Sequence, residues 1–510
     1  MPLAGTRVRR LDSILKRKEL TMTQSTIITI KKGPLLTIMV LGAFISILNQ
    51  TIMSVALPEL MHDLQVSAST GQWLTTGYML VNGVMIPLTA YFMERFTTRQ
   101  LFLSSMILFT VGTIVCAVAP GFGILLTGRM IQAAGAGIIM PLLMNVVFIL
   151  FPVEKRGTAM GLIGFAIIVA PAVGPSLTGF VLEHAHWRIL FYGMLPIALI
   201  ITAISFFLLK NLTERSMPKL DVVSAIISTI GFGGLLYGVS VAGAKGWNSL
   251  EAWIMMVVGF VALIFFTRRQ WHSDKPFLNL RVFQYPIFTL TSIINVFITI
   301  VMFADMILLP LYLQNTRGFT PLESGLLMLP GAVIMGIMSP ITGWIFDKVG
   351  ARWLSIIGLI IAIASTWEFM HLTNTTSYSF LVWMSTIRRF GIAMLMMPIV
   401  TAGLNQLPKH LISHGNAVSN TLRQVSGAIG TALLVTIMTT GATRYFIDLA
   451  AVNTAGLTKE ALEIEAMIMG INDAYLAVIC FAAVGLLLSF FIKRVVSSEE
   501  KSTHGKAKAN

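Results

Sequence analysis

Long apolar runs separated by short polar segments occupy almost the whole of this 510-residue chain. Runs of about 20 apolar residues are long enough to cross a bilayer as helices. Fourteen such helices are predicted, at residues 35–57, 73–93, 101–119, 123–150, 157–183, 189–209, 220–243, 251–267, 285–313, 321–346, 353–371, 379–404, 415–440 and 472–492. Because a helix satisfies its own backbone hydrogen bonds in lipid, the pattern predicts an all-α membrane protein.

Composition agrees with this class. Hydrophobic residues make up 55% of the chain and charged residues only 11%, whereas soluble domains carry about 25% charged residues. The mean hydropathy is +0.81. Cys116 and Cys480 both fall in predicted spans, so neither a disulfide framework nor a metal site is indicated, and no cofactor is expected.

The basic residues predict the orientation in the cell membrane. An even number of spans puts both termini on one side, and cytoplasmic loops carry an excess of Lys and Arg. With the N-terminus inside, 27 of the 36 basic residues fall in cytoplasmic segments and five in outer loops. Both termini are therefore expected to be cytoplasmic. The net charge of +14 needs no nucleic acid to explain it.

Both ends of the chain are polar. Residues 1–33 form a basic N-tail, and residues 496–510 form a C-tail. The apolar segment after the N-tail is too long for the core of a signal peptide and lacks a convincing small-residue cleavage site. It is therefore predicted to be the first helix of the mature protein.

Two polar loops in the chain repeat each other. They read AYFMERFTTRQ at 90–100 and GWIFDKVGARW at 343–353, and in each a small residue is followed four positions later by an acid and then by a base. The acids, Glu94 and Asp347, are 253 residues apart. This offset indicates an internal duplication.

A second repeat supports the duplication, because features of residues 151–159 recur in residues 407–417 at offsets of 256 to 258. Two homologous six-helix bundles joined by an extra helix pair are therefore predicted, an organisation found in many secondary transporters. The predicted divisions are 34–210 for the first bundle, 211–282 for the extra pair with its connecting loops, and 283–495 for the second bundle.

The segment GLIGFAIIVAPAVGPSLTG at 161–179 is rich in glycine and proline. These residues are poor formers of ordinary long helices, but membrane spans tolerate them. Pro171 and Pro175 are expected to bend the helix, while Gly174 and Gly179 leave a bare surface for a partner helix. Taken alone, the segment could be no more than a kinked packing helix.

Four segments together carry a family resemblance: LNQTIMSVALP at 48–58, the loop at 90–100, RMIQAAGAG at 129–137 and APAVGPSLTG at 170–179. With its fourteen predicted spans the chain resembles the drug:proton antiporters of the major facilitator superfamily, in the branch of multidrug and lincomycin-type efflux proteins. The resemblance covers about residues 35–495 and implies the major facilitator fold. The last segment is similar to the superfamily's antiporter signature, which is associated with export.

Two departures from the family pattern bear on proton coupling and on the loop. The family's first-helix motif usually has an acid where this chain has Asn49, and an amide cannot carry a proton. The first loop has Ala90 and Thr97 where glycines are usual, and Glu94 in place of an aspartate. The charge pairing of the loop is nevertheless expected to be preserved.

One acid lies deep in a predicted span. Asp305 occurs in the apolar setting ITIVMFADMILLPLYL. An intramembrane acid is a functional-site hypothesis by default, because a carboxyl group in apolar surroundings can bind and release a proton near neutral pH. Asp305 is therefore predicted to be the proton carrier. The alternatives are a structural partner for an arginine and a carboxyl group facing the outer vestibule, and Glu368 is a weaker candidate carrier.

An arginine is predicted in the fourth span. An unpaired guanidinium in hydrocarbon is costly, so Arg129 should pair with a carboxylate, carbonyl groups or water. By resemblance, Arg129 and Gln132 take part in proton transfer or in the network around it, and simple bracing of the helix is the alternative. The counterparts in the second half are Arg388, Arg389 and Arg423, and the sequence leaves open which of them faces the cavity.

The two loop motifs suit gating rather than ligand binding. Acids at helix ends beside bases can form a charge network that holds one conformation and breaks in the other. The alternative is a solvated loop that merely follows the positive-inside bias. The residues predicted for this network are Glu94, Arg95, Arg99, Asp347, Lys348 and Arg352.

The residues that contact the substrate are only weakly indicated by the sequence. The chain has 30 Met and 31 Phe residues, which suit a cavity for differing apolar molecules, although most such residues pack or face lipid. Polar contacts are predicted first from Asn49, Gln50 and Asn145. Further candidates are Trp73, Tyr78, Asn82, Asn295, Tyr312 and Gln314.

The predicted function is proton-driven export of lipophilic or amphipathic drugs or antibiotics by alternating access. Export of a native metabolite, peptide or osmolyte is the alternative, and a membrane sensor on a transporter fold is a remote one. An ATP-driven pump would need the loop GxxxxGK[ST], which does not occur in the chain, and an enzyme would need a cluster of catalytic side chains. The expected partners are a small-molecule substrate, protons and the lipid bilayer, and the need for an adaptor protein stays open.

Overall fold

The structure, a computed structural model, describes residues 32–212, 221–273, 276–451 and 458–493. Within these ranges the chain is helical and contains no β-strand. Almost all of the predicted N-tail and the whole of the predicted C-tail lie outside the described residues.

Long helices follow one another along the chain in two groups and an intervening pair. The first bundle consists of α1 Lys32–Asp63, α2 Trp73–Arg95, α3 Thr98–Ala117, α4 Phe122–Leu150, α5 Arg156–His184 and α6 Arg188–Leu208. The extra pair consists of α7 Val222–Lys245 and α8 Leu250–His272. The second bundle consists of α9 Pro286–Leu311, α10 Pro321–Val349, α11 Ala351–Phe369, α12 Tyr378–Ala393, α13 Met396–Asn405, α14 Ile412–Ala451 and α15 Lys459–Ser489. Short helical turns lie at Ala68–Gly71, Val153–Lys155, Leu280–Gln284, Tyr312–Thr316 and Lys409–Leu411.

Local sequence fixes where several of these helices begin and end. Thr97 and Gln100 form a capping box at the start of α3, in which each side chain bonds the backbone of the other residue. Thr320 and Glu323 form the equivalent box at the start of α10. Gly350 ends α10 with a φ of 85°, a conformation that glycine adopts without a Cβ penalty.

Thirteen segments of the described chain are long and apolar enough to cross a membrane, with α12 and α13 together forming one crossing, Tyr378–Asn405. The predicted span at 73–93 corresponds to α2, which has 23 residues but is not among the thirteen. Polar side chains such as Thr75, Thr76 and Asn82 lower its hydropathy. These three side chains face a cavity described below, which explains their presence in a helix of spanning length.

The same helix pairs pack in both bundles. In the first, α1 packs on α5 and α6, and α4 packs on α2 and α3. In the second, α9 packs on α14 and α15, and α12 packs on α10 and α11. The extra pair lies against the junction of the bundles, because α7 contacts both α2 and α14.

The two bundles meet along α5 and α10, which pack closely because small residues face each other. A Cβ atom added at Gly157 or Gly161 would collide with the backbone of α10, and one added at Gly343 would collide with the backbone of α5. We call the side where α2 ends at Arg95 and α10 ends at Val349 the motif face.

Candidate functional site

A buried arginine lies at the centre of the first bundle. The Nη1 atom of Arg129 donates to the side-chain oxygens of Asn49 and Gln132, the latter at 3.0 Å. Gln132 in turn donates to Thr113 Oγ1 at 2.8 Å. The guanidinium of Arg129 lies 4.2 Å from the centre of the Tyr78 ring. The arginine is therefore held by amides and an aromatic ring.

This arginine has no neutralising acid. Within the described residues, no carboxylate lies within ion-pair distance of Arg129, and its Nε and Nη2 atoms have no hydrogen-bond partner. Asn49 is only 1% exposed. Its Nδ2 atom donates to Met194 Sδ at 3.4 Å. The first-bundle site thus keeps a fixed positive charge.

The second bundle has an acid at the corresponding place. Arg389 Nε donates to Asp305 Oδ2 at 2.8 Å, and Arg388 Nη1 lies 3.5 Å from Asp305 Oδ1. The two arginines also donate to backbone carbonyls, Arg388 to Val301 at 3.1 Å and Arg389 to Met328 at 3.0 Å. Asp305 is 3% exposed. One carboxylate therefore joins α9 to two arginines of α12.

The two arginine sites are repeats of each other. Asn49 and Asp305 are 256 residues apart, and Arg129 and Arg388 are 259 residues apart. These offsets are close to the 253 to 258 residues that separate the similar loop segments. The offsets therefore align the amide of the first bundle with the acid of the second, a signal that is already present in the sequence.

Two adjoining cavities lie between the bundles, with volumes of about 310 and 620 Å³. Asp305 and Arg389 line the smaller cavity, and Gln50 and Arg423 line the larger one. Residues common to both are Thr51, Ile167, Pro171, Met302, Met306 and Met396. Arg388 is fully buried and lines neither cavity, so Arg389 and Arg423 are the arginines of the second half that reach the cavities.

The predicted substrate contacts separate in the structure. Gln50 lines the larger cavity, whereas Asn49 points to Arg129 and Asn145 is buried in α4 away from both cavities. Among the further candidates, Tyr78, Asn82 and Gln314 line a cavity. Residues of the lining that the sequence analysis missed include Asn420, Gln424 and Thr431. Their spacing of four and seven residues along one face of α14 was the available signal.

Methionines supply much of the apolar lining. They are Met79, Met140, Met302, Met306, Met328, Met335 and Met396. Unbranched thioether side chains adapt to ligands of different shape. In the described residues no group of three His, Cys, Asp or Glu side chains could hold a metal.

On the motif face, Asp347 of α10 caps the first turn of α5. Its carboxylate accepts hydrogen bonds from the backbone N–H groups of Gly157 and Thr158, at 2.7 and 2.9 Å, and from Thr158 Oγ1 at 2.7 Å. The free N–H groups and positive dipole end of a helix favour such a carboxylate. This contact links the two bundles.

The other loop makes the equivalent link with a different partner. Glu94 of α2 receives a hydrogen bond from His414 Nε2 at the start of α14, at 3.0 Å. Arg95 lies beside Glu94 at the end of α2, and Arg99 donates to the backbone oxygen of Phe206 at 2.6 Å.

The basic residues of the second loop stack on aromatic rings. Lys348 Nζ lies 3.6 Å from the centre of the Trp344 ring, and the guanidinium of Arg352 lies 5.9 Å from that of Trp353. The sequence predicted acid–base pairing within this loop, but Asp347 contacts the start of α5 instead. Backbone N–H groups at a helix end already satisfy its carboxylate.

The glycine- and proline-rich segment lies in α5. Pro171 lines both cavities, and a Cβ atom added at Gly174 would collide with Thr51 Oγ1 of α1. Gly179 has open space around it. The side chain of Pro175 lies outside the described residues. Of the two glycines predicted to form a bare packing surface, Gly174 therefore meets a partner helix.

Residues 39–431 of the chain match the protein family described as the Major Facilitator Superfamily. The chain belongs to the major facilitator superfamily. It is 46% identical over 494 residues to the uncharacterised MFS-type transporter YhcA of Bacillus subtilis, covering 90% of this chain and 93% of YhcA. It is 41% identical over 467 residues to the lincomycin resistance protein LmrB of the same organism, covering 91% and 96% of the two chains.

A solved structure agrees on the fold. The crystal structure of the human organic anion transporter MFSD10 matches 89% of this chain and 98% of its own, with a TM-score of 0.63 and 13% identity. The chain therefore has the major facilitator fold, as the resemblance implied. Members of this superfamily are transporters rather than enzymes, so the substrate is a small molecule and the protein is a multi-pass membrane protein.

Proposed function

We propose that this major facilitator chain is a drug:proton antiporter that exports lipophilic or amphipathic drugs by alternating access. The observation that carries the proposal is the Asp305 carboxylate, which lines the cavity between the bundles while pairing with Arg388 and Arg389. Of the residues lining the two cavities, it is the one acid among those that the structure describes.

A proton arriving at Asp305 would change the contacts that hold α9 against α12. The ionised carboxylate attracts both arginines, whereas the protonated acid carries no charge to attract them. Arg389 would then be held mainly by its bond to the Met328 carbonyl of α10. A proton that binds the two arrangements with different affinity shifts the balance between them, which is the requirement for coupling.

The proposed alternation of access is supported by the location of the closing contacts. Asp347 and Glu94 tie the bundles together on the motif face. The cavity residues of α1, α2, α9 and α10 lie mostly in the halves of these helices away from that face. With the motif face taken as cytoplasmic, as the basic residues predict, the cavity in this structure lies toward the outside.

In the other half of the cycle the motif-face contacts must separate. The bonds from Asp347 to the start of α5 and from His414 to Glu94 would break, and the cavity would open to the cytoplasm. The close packing of α5 at Gly174 would meanwhile keep α5 sealed against α1, which would prevent leak of protons.

The drug class is proposed from the lining and from a relative. Flexible methionines and apolar walls suit lipophilic bodies, and LmrB is named a lincomycin resistance protein. A chemically diverse panel of acidic, neutral and basic drugs is therefore the set to test, and it includes lincomycin.

The test uses the full chain in proteoliposomes. A pH gradient is expected to drive accumulation of at least one drug of the panel in wild type, and a protonophore is expected to abolish it. Asp305→Asn should lose the gradient-driven accumulation of that drug but keep exchange of its labelled for its unlabelled form, which shows that the variant is folded. Asp448→Asn removes an exposed carboxylate of α14 and is the matched control.

The outcomes separate the competing functions. Full gradient-driven accumulation by Asp305→Asn would exclude Asp305 as the proton carrier. Accumulation that ignores the protonophore would exclude proton coupling. Failure of every drug in the panel would favour export of a native metabolite, peptide or osmolyte.

A further inference from the structure

The larger cavity contains an arginine whose charge is unpaired. Arg423 of α14 is half-buried and lines this cavity. Its Nη2 atom donates to Asn420 Oδ1 at 3.2 Å. Within the described part of the chain no acidic side chain lies within ion-pair distance of Arg423. A guanidinium has five N–H donors, so several remain available to a ligand.

A ladder of amides orients this arginine. Asn420 Nδ2 donates to the backbone and side-chain oxygens of Asn416, at 2.9 and 2.8 Å, which leaves its Oδ1 atom for Arg423. Asn416 Nδ2 donates to the Pro141 carbonyl of α4 at 2.6 Å. Pro141 and Asn420 line the cavity on the side nearer the motif face. Arg423 is thus held near the end of the larger cavity that is closer to the motif face.

The charges around the two cavities do not balance. The charged residues that line them, among those described, are Asp305, Arg389 and Arg423. Arg388 also contacts Asp305 but does not line either cavity. Even with Asp305 ionised, the cavity walls carry excess positive charge, and protonation of Asp305 would increase it. An electropositive, partly desolvated cavity attracts anions and repels cations.

We propose that Arg423 binds the anionic group of the transported molecule, so that the cavity selects amphipathic organic acids, with a carboxylate or similar group on an apolar body. A guanidinium matches a carboxylate through two parallel hydrogen bonds. Met140, Met302 and Met306 line the same cavity and would contact the apolar body. The inference rests on the proposed function, because it takes this cavity to be the transport site.

The test measures binding, which does not depend on proton coupling. The full chain is placed in nanodiscs of phosphatidylcholine, since a neutral lipid does not concentrate charged probes. The probes share one apolar body: 11-(dansylamino)undecanoic acid, its primary amide and its trimethylammonium analogue. Dansyl fluorescence at pH 7 reports the affinity of each. Wild type is expected to bind the acid at least about tenfold more tightly than the amide, and the cation more weakly still.

Variants assign the preference to one side chain. Arg423→Gln should weaken binding of the acid by about tenfold and change binding of the amide by less than about twofold. Arg423→Lys should keep part of the preference for the acid over the amide, because lysine keeps the positive charge but cannot form the two parallel hydrogen bonds of a guanidinium. Arg444→Gln removes an exposed arginine from the same helix, outside both cavities, and is the matched control that should bind all probes as wild type does.

Equal affinity of wild type for acid and amide would overturn the inference, as would no binding of either. An equal loss of both probes in Arg423→Gln would also overturn it, because it would indicate damage to the cavity rather than loss of an anion contact. Gradient-driven transport is measured separately. Selective binding of the acid without its gradient-driven transport would count against the proposed function, and only the anion contact of Arg423 would stand. Gradient-driven transport of the amide but not of the acid would support the proposed function and overturn the inference.

Discussion

The buried arginines of the two bundles occupy repeat-related positions but have different partners. In the first bundle Arg129 bonds the amides of Asn49 and Gln132 and lies on the Tyr78 ring. In the second, Arg388 and its neighbour Arg389 share the Asp305 carboxylate. Both halves have kept an arginine on the equivalent helix, but only the second has an acid at the position opposite it.

This difference allows the two halves to have different physical roles. No proton exchange near neutral pH can change the charge of the first site, because neither Asn49 nor Gln132 titrates there. In the second site a single proton converts a carboxylate between two arginines into a neutral group. The duplicated fold can therefore act as a fixed frame on one side and as a proton-responsive contact on the other.

Exchanging the two side chains should have the largest effect. The double variant with Asn49→Asp and Asp305→Asn moves the acid to the first bundle without changing the total charge. We expect no gradient-driven transport, because Asn49 is 1% exposed and lines neither cavity, so protons and substrate cannot compete there. Transport into proteoliposomes under a pH gradient is the measurement.

Asn49→Asp alone is the control for this exchange. It should keep gradient-driven transport, since Asp305 is intact, and it should show whether an acid beside Arg129 is tolerated. Restored gradient-driven transport in the double variant would mean that either half can carry the proton. The difference between the two arginine sites would then have no consequence for proton coupling.

The next effect concerns stability. Asp305→Leu leaves two buried arginines without their acid, and removing one partner of a buried ion pair costs about 3–5 kcal/mol. Asn49→Leu removes one neutral acceptor from an arginine that keeps Gln132 and Tyr78, which costs about 1–3 kcal/mol. Asp305→Asn should be milder than Asp305→Leu, because the first bundle shows that an amide oxygen can accept from an arginine. Thermal unfolding of the purified chain in detergent checks this order.

Equal or reversed losses for the two leucine variants would show that the ion pairs of Asp305 stabilise the fold no more than the amide contact of Asn49 does. The difference between the two sites would then concern function and not stability.

Much of the fold could be predicted from the sequence, because the length of an apolar run is a local property. The predicted spans correspond to helices in the structure, and α2 is less apolar than the other spans because Thr75, Thr76 and Asn82 face a cavity. The site was harder to predict. Adjacent residues point about 100° apart on a helix, and the sequence does not give the rotation of α1 about its axis. Asn49 and Gln50 were therefore equally good candidates for the cavity wall, but only Gln50 lines it.

The arginines of the second half show the same limit. The sequence left open which of Arg388, Arg389 and Arg423 faces the cavity, since the answer depends on how α12 and α14 are rotated against their neighbours. The equivalence of Asn49 and Asp305 could have been found from the sequence, because their separation of 256 residues is close to that of the similar loop segments. Proton carrier and arginine partner, which the sequence treated as alternatives for Asp305, are compatible in this geometry.

The two loop acids on the motif face, Asp347 and Glu94, also differ in their partners, and we expect smaller effects from changing them. Asp347→Asn should remove most of the cap on α5, because an amide has one acceptor oxygen where the carboxylate uses two. Loss of an N-cap costs about 0.5–2 kcal/mol, which is up to about a thirtyfold change in the balance between closed and open motif faces. Spin labels at positions 154 and 409, which are exposed on the two bundles, would report the opening after Cys480→Ser.

The expected result is a new population of longer label distances in Asp347→Asn, with Asp448→Asn as the control that keeps the wild-type distribution. An unchanged distribution in Asp347→Asn would show that the contact between α5 and α10 holds the face closed without the acid.

Glu94→Gln should have the smallest effect. Asn279 N–H donates to His414 Nδ1 at 3.3 Å, so His414 Nε2 carries the proton that Glu94 accepts, and a glutamine oxygen can accept it as well. The Glu94 side chain is 34% exposed, and exposed pairs contribute only about 0.2–1 kcal/mol. The same label pair should therefore move less than in Asp347→Asn. If Glu94→Gln opened the motif face as far as Asp347→Asn does, the two loop acids would contribute equally to keeping it closed. The two halves would then differ only at their buried arginine sites.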